Sequence, residues 1–193
     1  MIETEHTPNP DTLKFLPGKK VSEVGPVEFL KSSKNISVPL ANKILSLEGV
    51  SMVFFGEDFI TVKKEKSLNW NDLKHNIISE INHYYSQGNS VIIKKITKNS
   101  LTDSKPNDSK TDSKPNDSNE IVNKINEILD SKVRPAVAKD GGDITFKSFN
   151  DGVVTVELKG SCSGCPSSTL TLKQGVQNLL CHYIPEVKSV EAN

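Results

Sequence analysis

Residues 144–166 read Ile144-Thr-Phe-Lys-Ser-Phe-Asn-Asp-Gly-Val-Val-Thr-Val-Glu-Leu-Lys-Gly-Ser-Cys-Ser-Gly-Cys-Pro166. The arms Ile144 to Phe149 and Val153 to Lys159 alternate apolar and polar residues around Asn150-Asp151-Gly152, which predicts a β-hairpin. A Cys-x-x-Cys pair follows at once, and Pro166 then stands where a helix over Ser167 to about Tyr183 should begin. Upstream, Ile121, Ile125, Ile128 and Leu129 recur at helical spacing, and Pro135 starts a shorter helical stretch that stops at Gly141-Gly142. Downstream a short strand starts at Val187. The order helix, hairpin, cysteine loop, helix, strand is an α+β unit over residues 119–193.

A second α+β unit is predicted over residues 1–96. Thr12-Leu-Lys-Phe-Leu16 alternates like a strand and ends at Pro17-Gly18. Pro39 opens a helical period through Leu40, Ile44 and Leu47, with Gly49 as its left-handed cap. Val50 to Phe55 and Phe59 to Lys63 flank Gly56-Glu57-Asp58 as a hairpin. Trp70 to Tyr85 gives a second helix with Leu73, Ile77, Ile81 and Tyr84 on one face and Gly88 beyond its end. No chemistry is legible in this half. His75 and His83 have no second ligand at metal spacing and read as surface or packing residues.

Residues 97–118 join the two units. Asp-Ser-Lys-Pro-Asn-Asp-Ser at 103–109 recurs in the same order at 112–118. Leu101 is the only large apolar side chain between Lys98 and Asn119, and Pro106 and Pro115 forbid a continuous helix. The segment is predicted to be a disordered low-complexity linker. At ~20 residues it would span roughly 25 Å on average and let two flanking domains reorient.

Composition narrows the function classes. The 24 basic and 24 acidic side chains cancel, and no basic stripe exists to neutralise phosphates, which argues against a nucleic-acid reader. No apolar run approaches the ~20 residues of a membrane span. The start, Met-Ile-Glu-Thr-Glu-His, has neither a basic n-region nor an apolar h-region, and its acids and lack of Arg do not suit a transit peptide. Three cysteines cannot make the disulfide framework of a secreted domain, so a cytoplasmic protein is expected. No Ser-His-Asp set, phosphate-cradling glycine loop or paired-carboxylate motif is present, so no enzyme is expected.

Cys162 and Cys165 carry the chemistry. Gly164 between them permits the positive φ of a tight chelating turn, and the positive end of the following helix favours anionic sulfur. Either metal binding or thiol redox work would profit. A closed zinc or iron–sulfur site takes four ligands, whereas one pair and no nearby His supply half of that. A two-fold dimer would complete it by presenting the same pair twice. A thiol–disulfide oxidoreductase is the alternative, although Ser161 rather than Trp precedes the pair and a hairpin rather than a βαβ unit leads into it. A structural zinc would share the ligand count.

Two separated motifs add a family resemblance. Arg134-Pro-Ala-Val-Ala-Lys-Asp-Gly-Gly-Asp143, followed by Gly160-Ser-Cys-Ser-Gly-Cys-Pro-Ser-Ser168 and Thr171-Leu172, resembles the C-terminal domain of NifU, the Nfu-type iron–sulfur scaffolds and carriers. Thr7-Pro-Asn-Pro-Asp-Thr-Leu-Lys-Phe-Leu-Pro-Gly18, with Val53-Phe-Phe-Gly56 and Phe59-Ile-Thr-Val62, resembles the N-terminal domain of two-domain Nfu proteins of mitochondria and α-proteobacteria. The resemblance implies that Cys162 and Cys165 of two subunits hold a bridging 4Fe-4S cluster in a homodimer. It also implies an upstream donor, apo iron–sulfur proteins as recipients, and a bacterial cytoplasm or a mitochondrial matrix. Asp140-Gly-Gly-Asp143 reads first as helix termination and a turn into the hairpin, and second as a lining of the cluster loop. Cys181, in line with Gln174 and Gln177, is expected to face solvent and to ligate nothing.

Overall fold

Asp151 (φ +50°) and Gly152 (φ +88°) form a two-residue turn that returns strand β6 (Gly142–Asn150) as β7 (Val153–Gly160). Positive φ at both turn residues matches the right-handed twist of the strands. The hairpin belongs to a computed structural model that describes residues 2–33, 36–90, 117–164 and 166–192. The expected linker lies outside the described residues except for Asp117 and Ser118, and Cys165 lies outside them as well.

The chain builds two α+β domains. In the first, strands β1 (Glu3–His6), β2 (Thr12–Leu16), β3 (Val27–Leu30), β4 (Val50–Phe55) and β5 (Ile60–Lys64) form an antiparallel sheet of order β1-β2-β5-β4-β3. Helices α1 (Pro39–Ser46) and α2 (Trp70–Ser86) cover one face of it. Leu13 and Phe15, Val53 and Phe55, and Ile60 and Val62 meet Leu40, Ile44, Ile77 and Ile81 in one core. Alternation puts Thr12, Lys14, Met52, Phe54, Thr61 and Lys63 on the opposite face. That face is also covered, since Phe54 and Thr61 are fully buried and Lys14 nearly so.

In the second domain, β6 and β7 are joined by β8 (Ser189–Ala192), which pairs with β7 in parallel. Helices α3 (Asp117–Ile128), α4 (Arg134–Lys139) and α5 (Pro166–Tyr183) accompany this three-stranded sheet. Ile125, Leu129 and Val137 pack with Ile144, Val154, Val156, Val176 and Leu180 in a separate core.

The structure adjusts several expectations. Strands β1 and β3 are additional to those read from sequence, since their short mixed-polarity segments carry no clear alternation. Gly49 is left-handed, but α1 stops at Ser46 and the glycine instead shapes the turn into β4. The helical stretches on either side of Pro135 are one continuous path. Leu129–Val133 winds as a π-helix, with the Arg134 N–H reaching the Leu129 carbonyl. The wider turn absorbs the donor and the space that proline denies to a regular helix.

The helix α2 side chains Leu73, Ile77, Ile81 and Tyr84 are buried as the period predicts, and His75 and His83 are exposed. Near its end the hydroxyl of Tyr85 is buried and, among the described residues, has no hydrogen-bond partner. Burial, with neighbouring Tyr84, pushes its pKa up to about 12. An orphaned polar atom costs stability that an apolar side chain of the same shape does not. Tyr85→Phe is therefore expected to raise unfolding stability by about 1 kcal/mol in urea titrations. An unchanged or lowered midpoint would show that the hydroxyl has a stabilising partner.

Candidate functional site

Strand β7 delivers the chain into the cysteine loop at Gly160, where φ is +66°. A Cβ there would lie 2.7 Å from the Gly141 carbonyl oxygen and 2.9 Å from the Gly142 Cα. Both obstacles are backbone, so only glycine fits. Ser161 is 2% exposed; its N–H donates to the Gly141 carbonyl at 3.2 Å and its hydroxyl donates to the Asp140 carbonyl. Ser163 closes the turn through its N–H (3.2 Å) and hydroxyl (3.0 Å), both donated to the Gly160 carbonyl. The Thr169 hydroxyl donates to the Cys162 carbonyl at 3.3 Å and ties the loop to the first turns of α5.

Cys162 is 6% exposed and packs with the second core. Gly142 makes room for it, because a Cβ on Gly142 would come 2.7 Å from the sulfur. Asp140-Gly-Gly-Asp143 thus does both of the things the sequence allowed. Asp140 caps α4, and the segment also lines the cysteine loop. Beside Cys162 a cavity of about 340 Å³ is lined by Pro8, Val137, Asp140, Ser161, Thr171 and Leu172. Among the described residues no group of three or more His, Cys, Asp or Glu is placed to hold a metal ion. None of the helices among them is long and apolar enough to cross a membrane.

Arg134 and Asp143 form a brace that sequence reasoning did not assign. The Arg134 Nε and Nη2 donate to the two Asp143 carboxylate oxygens at 3.1 and 3.2 Å. Nε also donates to the Ile144 carbonyl, and Nη1 donates to Asp130 at 3.0 Å. The start of α4 is fixed to the start of β6, on the strand that backs the loop. Charge-assisted bidentate pairs of this kind are among the stronger polar contacts. Both residues stood at the ends of a quoted motif, but their pairing needs the helix to fold back on the strand.

Cys181 is a correction. It is half-buried and packs against the second core instead of facing solvent. Gln177 of the same row is also half-buried, its side chain accepting the Val190 N–H at 3.1 Å and tying α5 to β8, whereas Gln174 is exposed as its phase suggested.

The N-terminal domain reaches the loop directly, which was also not foreseen. The Asn9 amide donates to the Ser161 carbonyl at 3.1 Å and the Lys63 ammonium to the Ser163 carbonyl at 3.2 Å. The Thr61 hydroxyl donates to the Gly141 carbonyl at 2.8 Å, and the Lys14 ammonium to the Lys139 carbonyl at 3.2 Å. In return the Gly160 N–H donates to the Glu28 carboxylate at 2.8 Å. Met52, Phe54 and Phe59 pack beside these bonds with Ala138 against them. The signal in sequence was faint: Met52-Val-Phe-Phe55 is apolar without alternation, as in a strand buried on both faces.

Comparison with known proteins matches residues 125–191 to the NifU-like domain and residues 2–88 to the N-terminal domain described as scaffold protein Nfu/NifU. The chain is 44% identical over 191 residues to the human NFU1 iron-sulfur cluster scaffold homolog, mitochondrial, covering 98% of this chain and 70% of that protein. It is 42% identical over 192 residues to NifU-like protein 4, mitochondrial, of Arabidopsis thaliana, and spans 65% of it. A solution structure of a NifU-like protein from Saccharomyces cerevisiae covers 49% of this chain and 86% of its own, at 30% identity and a TM-score of 0.44.

The tight backbone at Gly160 yields a prediction. Gly160→Ala should destabilise the protein by about 1–3 kcal/mol, because a left-handed alanine must also push into backbone. Thermal unfolding measures it, and a wild-type midpoint would show that the loop relaxes freely.

Proposed function

The chain belongs to the Nfu family of iron–sulfur cluster scaffold proteins, and from that premise we propose that it binds a 4Fe-4S cluster between two copies of itself and hands it to apo-proteins. Cys162 and Cys165 are the ligands, two from each chain. The observation that supports this most is the loop itself. It is held rigidly by glycine-only backbone and internal bonds, yet it brings only half of a four-thiolate set. A two-fold dimer supplies the rest by symmetry.

Release proceeds by ligand exchange without net redox change. A recipient thiol loses its proton as its sulfur bonds to iron, the bond from iron to Cys162 or Cys165 breaks, and the departing thiolate takes up a proton. A site divided between chains suits this exchange because each half lets go separately. The role is that of a carrier, with recipients and an upstream donor as its partners. The names of the human and Arabidopsis relatives favour the mitochondrial matrix over a bacterial cytoplasm as its place of work.

Anaerobic reconstitution with iron and sulfide tests the ligands. Cys162→Ser and Cys165→Ser should each lose stable cluster, since a hydroxyl at its ordinary acidity replaces a thiolate poorly and one mutation removes two ligands per dimer. Cys181→Ser should load like wild type. Iron and sulfide per chain decide: full occupancy in Cys165→Ser, or loss in a folded Cys181→Ser, refutes the assignment. Disulfide reductase activity of metal-free protein that Cys162→Ser abolishes would favour the oxidoreductase instead.

The bridging model makes a second demand, that loading and dimerisation be coupled. Sedimentation of apo and loaded protein should show the dimer only with cluster; a loaded monomer holding a complete cluster rules the model out.

A further inference from the structure

We propose that Asn9 and Lys63 of the N-terminal domain are positioning residues for cluster binding: they hold the carbonyl side of the cysteine loop, and the Lys63 ammonium offsets the negative charge that thiolate ligation brings. The proposal deepens the reading of the loop as a cluster site and rests on it.

Asn9 is built for this contact. It is 3% exposed, and its own loop orients it, because its Oδ1 accepts the Asp11 N–H at 3.1 Å and its N–H donates to the Thr7 hydroxyl at 3.3 Å. With the oxygen committed to that turn, the amide nitrogen is left to donate to Ser161 at 3.1 Å. A buried amide aimed across a domain boundary fixes the position of what it holds, since breaking the bond strands polar groups.

Lys63 lies at the other end of the loop. Its Nζ donates to the Ser163 carbonyl and stands 2.9 Å from where a Gly164 Cβ would be. The neighbouring lysines are neutralised: Lys14, on the same face, pairs with Glu5, and Lys64, next in the strand, pairs with Asp11, both at 3.0 Å. Among the described residues Lys63 has no such acidic partner, so its charge is directed at the loop. Four thiolates outweigh the positive charge of the iron and sulfide they hold. A cation beside them, partly shielded from water, favours the loaded state.

Peptide geometry adds direction. In a planar trans unit the N–H points opposite to the C=O. Holding the Ser161 and Ser163 carbonyls against the N-terminal sheet therefore turns the Cys162 and Gly164 N–H groups away from it. Donors arranged in this way stabilise sulfur ligands and tune their cluster.

The test uses the full chain and the variants Asn9→Ala, Lys63→Met and Lys63→Arg, reconstituted anaerobically with iron and sulfide. Cluster lifetime under a chelator should shorten about tenfold in Asn9→Ala and Lys63→Met, the scale of losing one hydrogen bond that leaves a buried carbonyl unpaired. Lys63→Arg should restore it. The midpoint potential of the bound cluster should fall in Lys63→Met and hold in Lys63→Arg, a change that mere loosening of the fold does not produce. Hydrogen exchange of the Gly160 to Gly164 amides in cluster-free protein should lose protection in Asn9→Ala and Lys63→Met. Wild-type lifetimes, potentials and protection in both variants overturn the proposal while the cluster site stands. Faster loading in both overturns it too, since the domain would then be a cover to be lifted. A wild type that takes up no cluster removes the reading of the site itself, and this proposal with it.

Discussion

Backbone carbonyls in a tight loop need donors, and the rest of this structure follows from where the cysteine loop finds them. The left-handed backbone at Gly160 and Gly164 turns the chain too sharply for strand or helix pairing to use all its polar groups. Ser161 and Ser163 satisfy part of the demand locally, through Asp140, Gly141 and Gly160. The carbonyls of Ser161 and Ser163 take donors from Asn9 and Lys63, and that of Gly141 takes a second donor from Thr61, all on the other domain. The conformation of the loop is thereby a property of two domains together.

The N-terminal sheet is accordingly a two-faced layer. One face buries aliphatic and aromatic side chains under α1 and α2. The other combines Met52 and Phe54 with Thr12, Lys14, Thr61 and Lys63, a polar set that is affordable in a covered surface because each group has a partner to reach. Apolar contact holds the domains against each other, and the hydrogen bonds set their register. Glu28 completes the set by accepting the Gly160 N–H where β7 ends.

For a carrier, rigidity and release are opposing demands. Rigidity comes from glycine positions that admit no Cβ, from the Arg134–Asp143 brace behind the loop, and from the N-terminal contacts. In the proposed bridged dimer, release would come from sharing the ligands between chains, so that no single loop holds the cargo alone.

The periodic elements were legible in the amino-acid sequence: the β6–β7 hairpin, the buried stripe of α2, the helix after Pro166, and the Cys-x-x-Cys pair at a strand-to-helix junction. Each rests on local rules, the period of two or 3.6 residues and the preferences of Gly and Pro, which short windows contain. Short mixed strands such as β1 and β3 lacked such a period, and the π-turn that joins the helix before Pro135 to the one starting there leaves no local mark. Cys181 was misplaced because helical phase says which residues share a face but not how wide the covering layer is. What only the tertiary structure decided is who touches the loop. Asn9 lies 152 positions from Ser161 and Lys63 lies 100 from Ser163. No pattern within a window links residues so far apart, and their meeting depends on a second face of a sheet being buried by another domain.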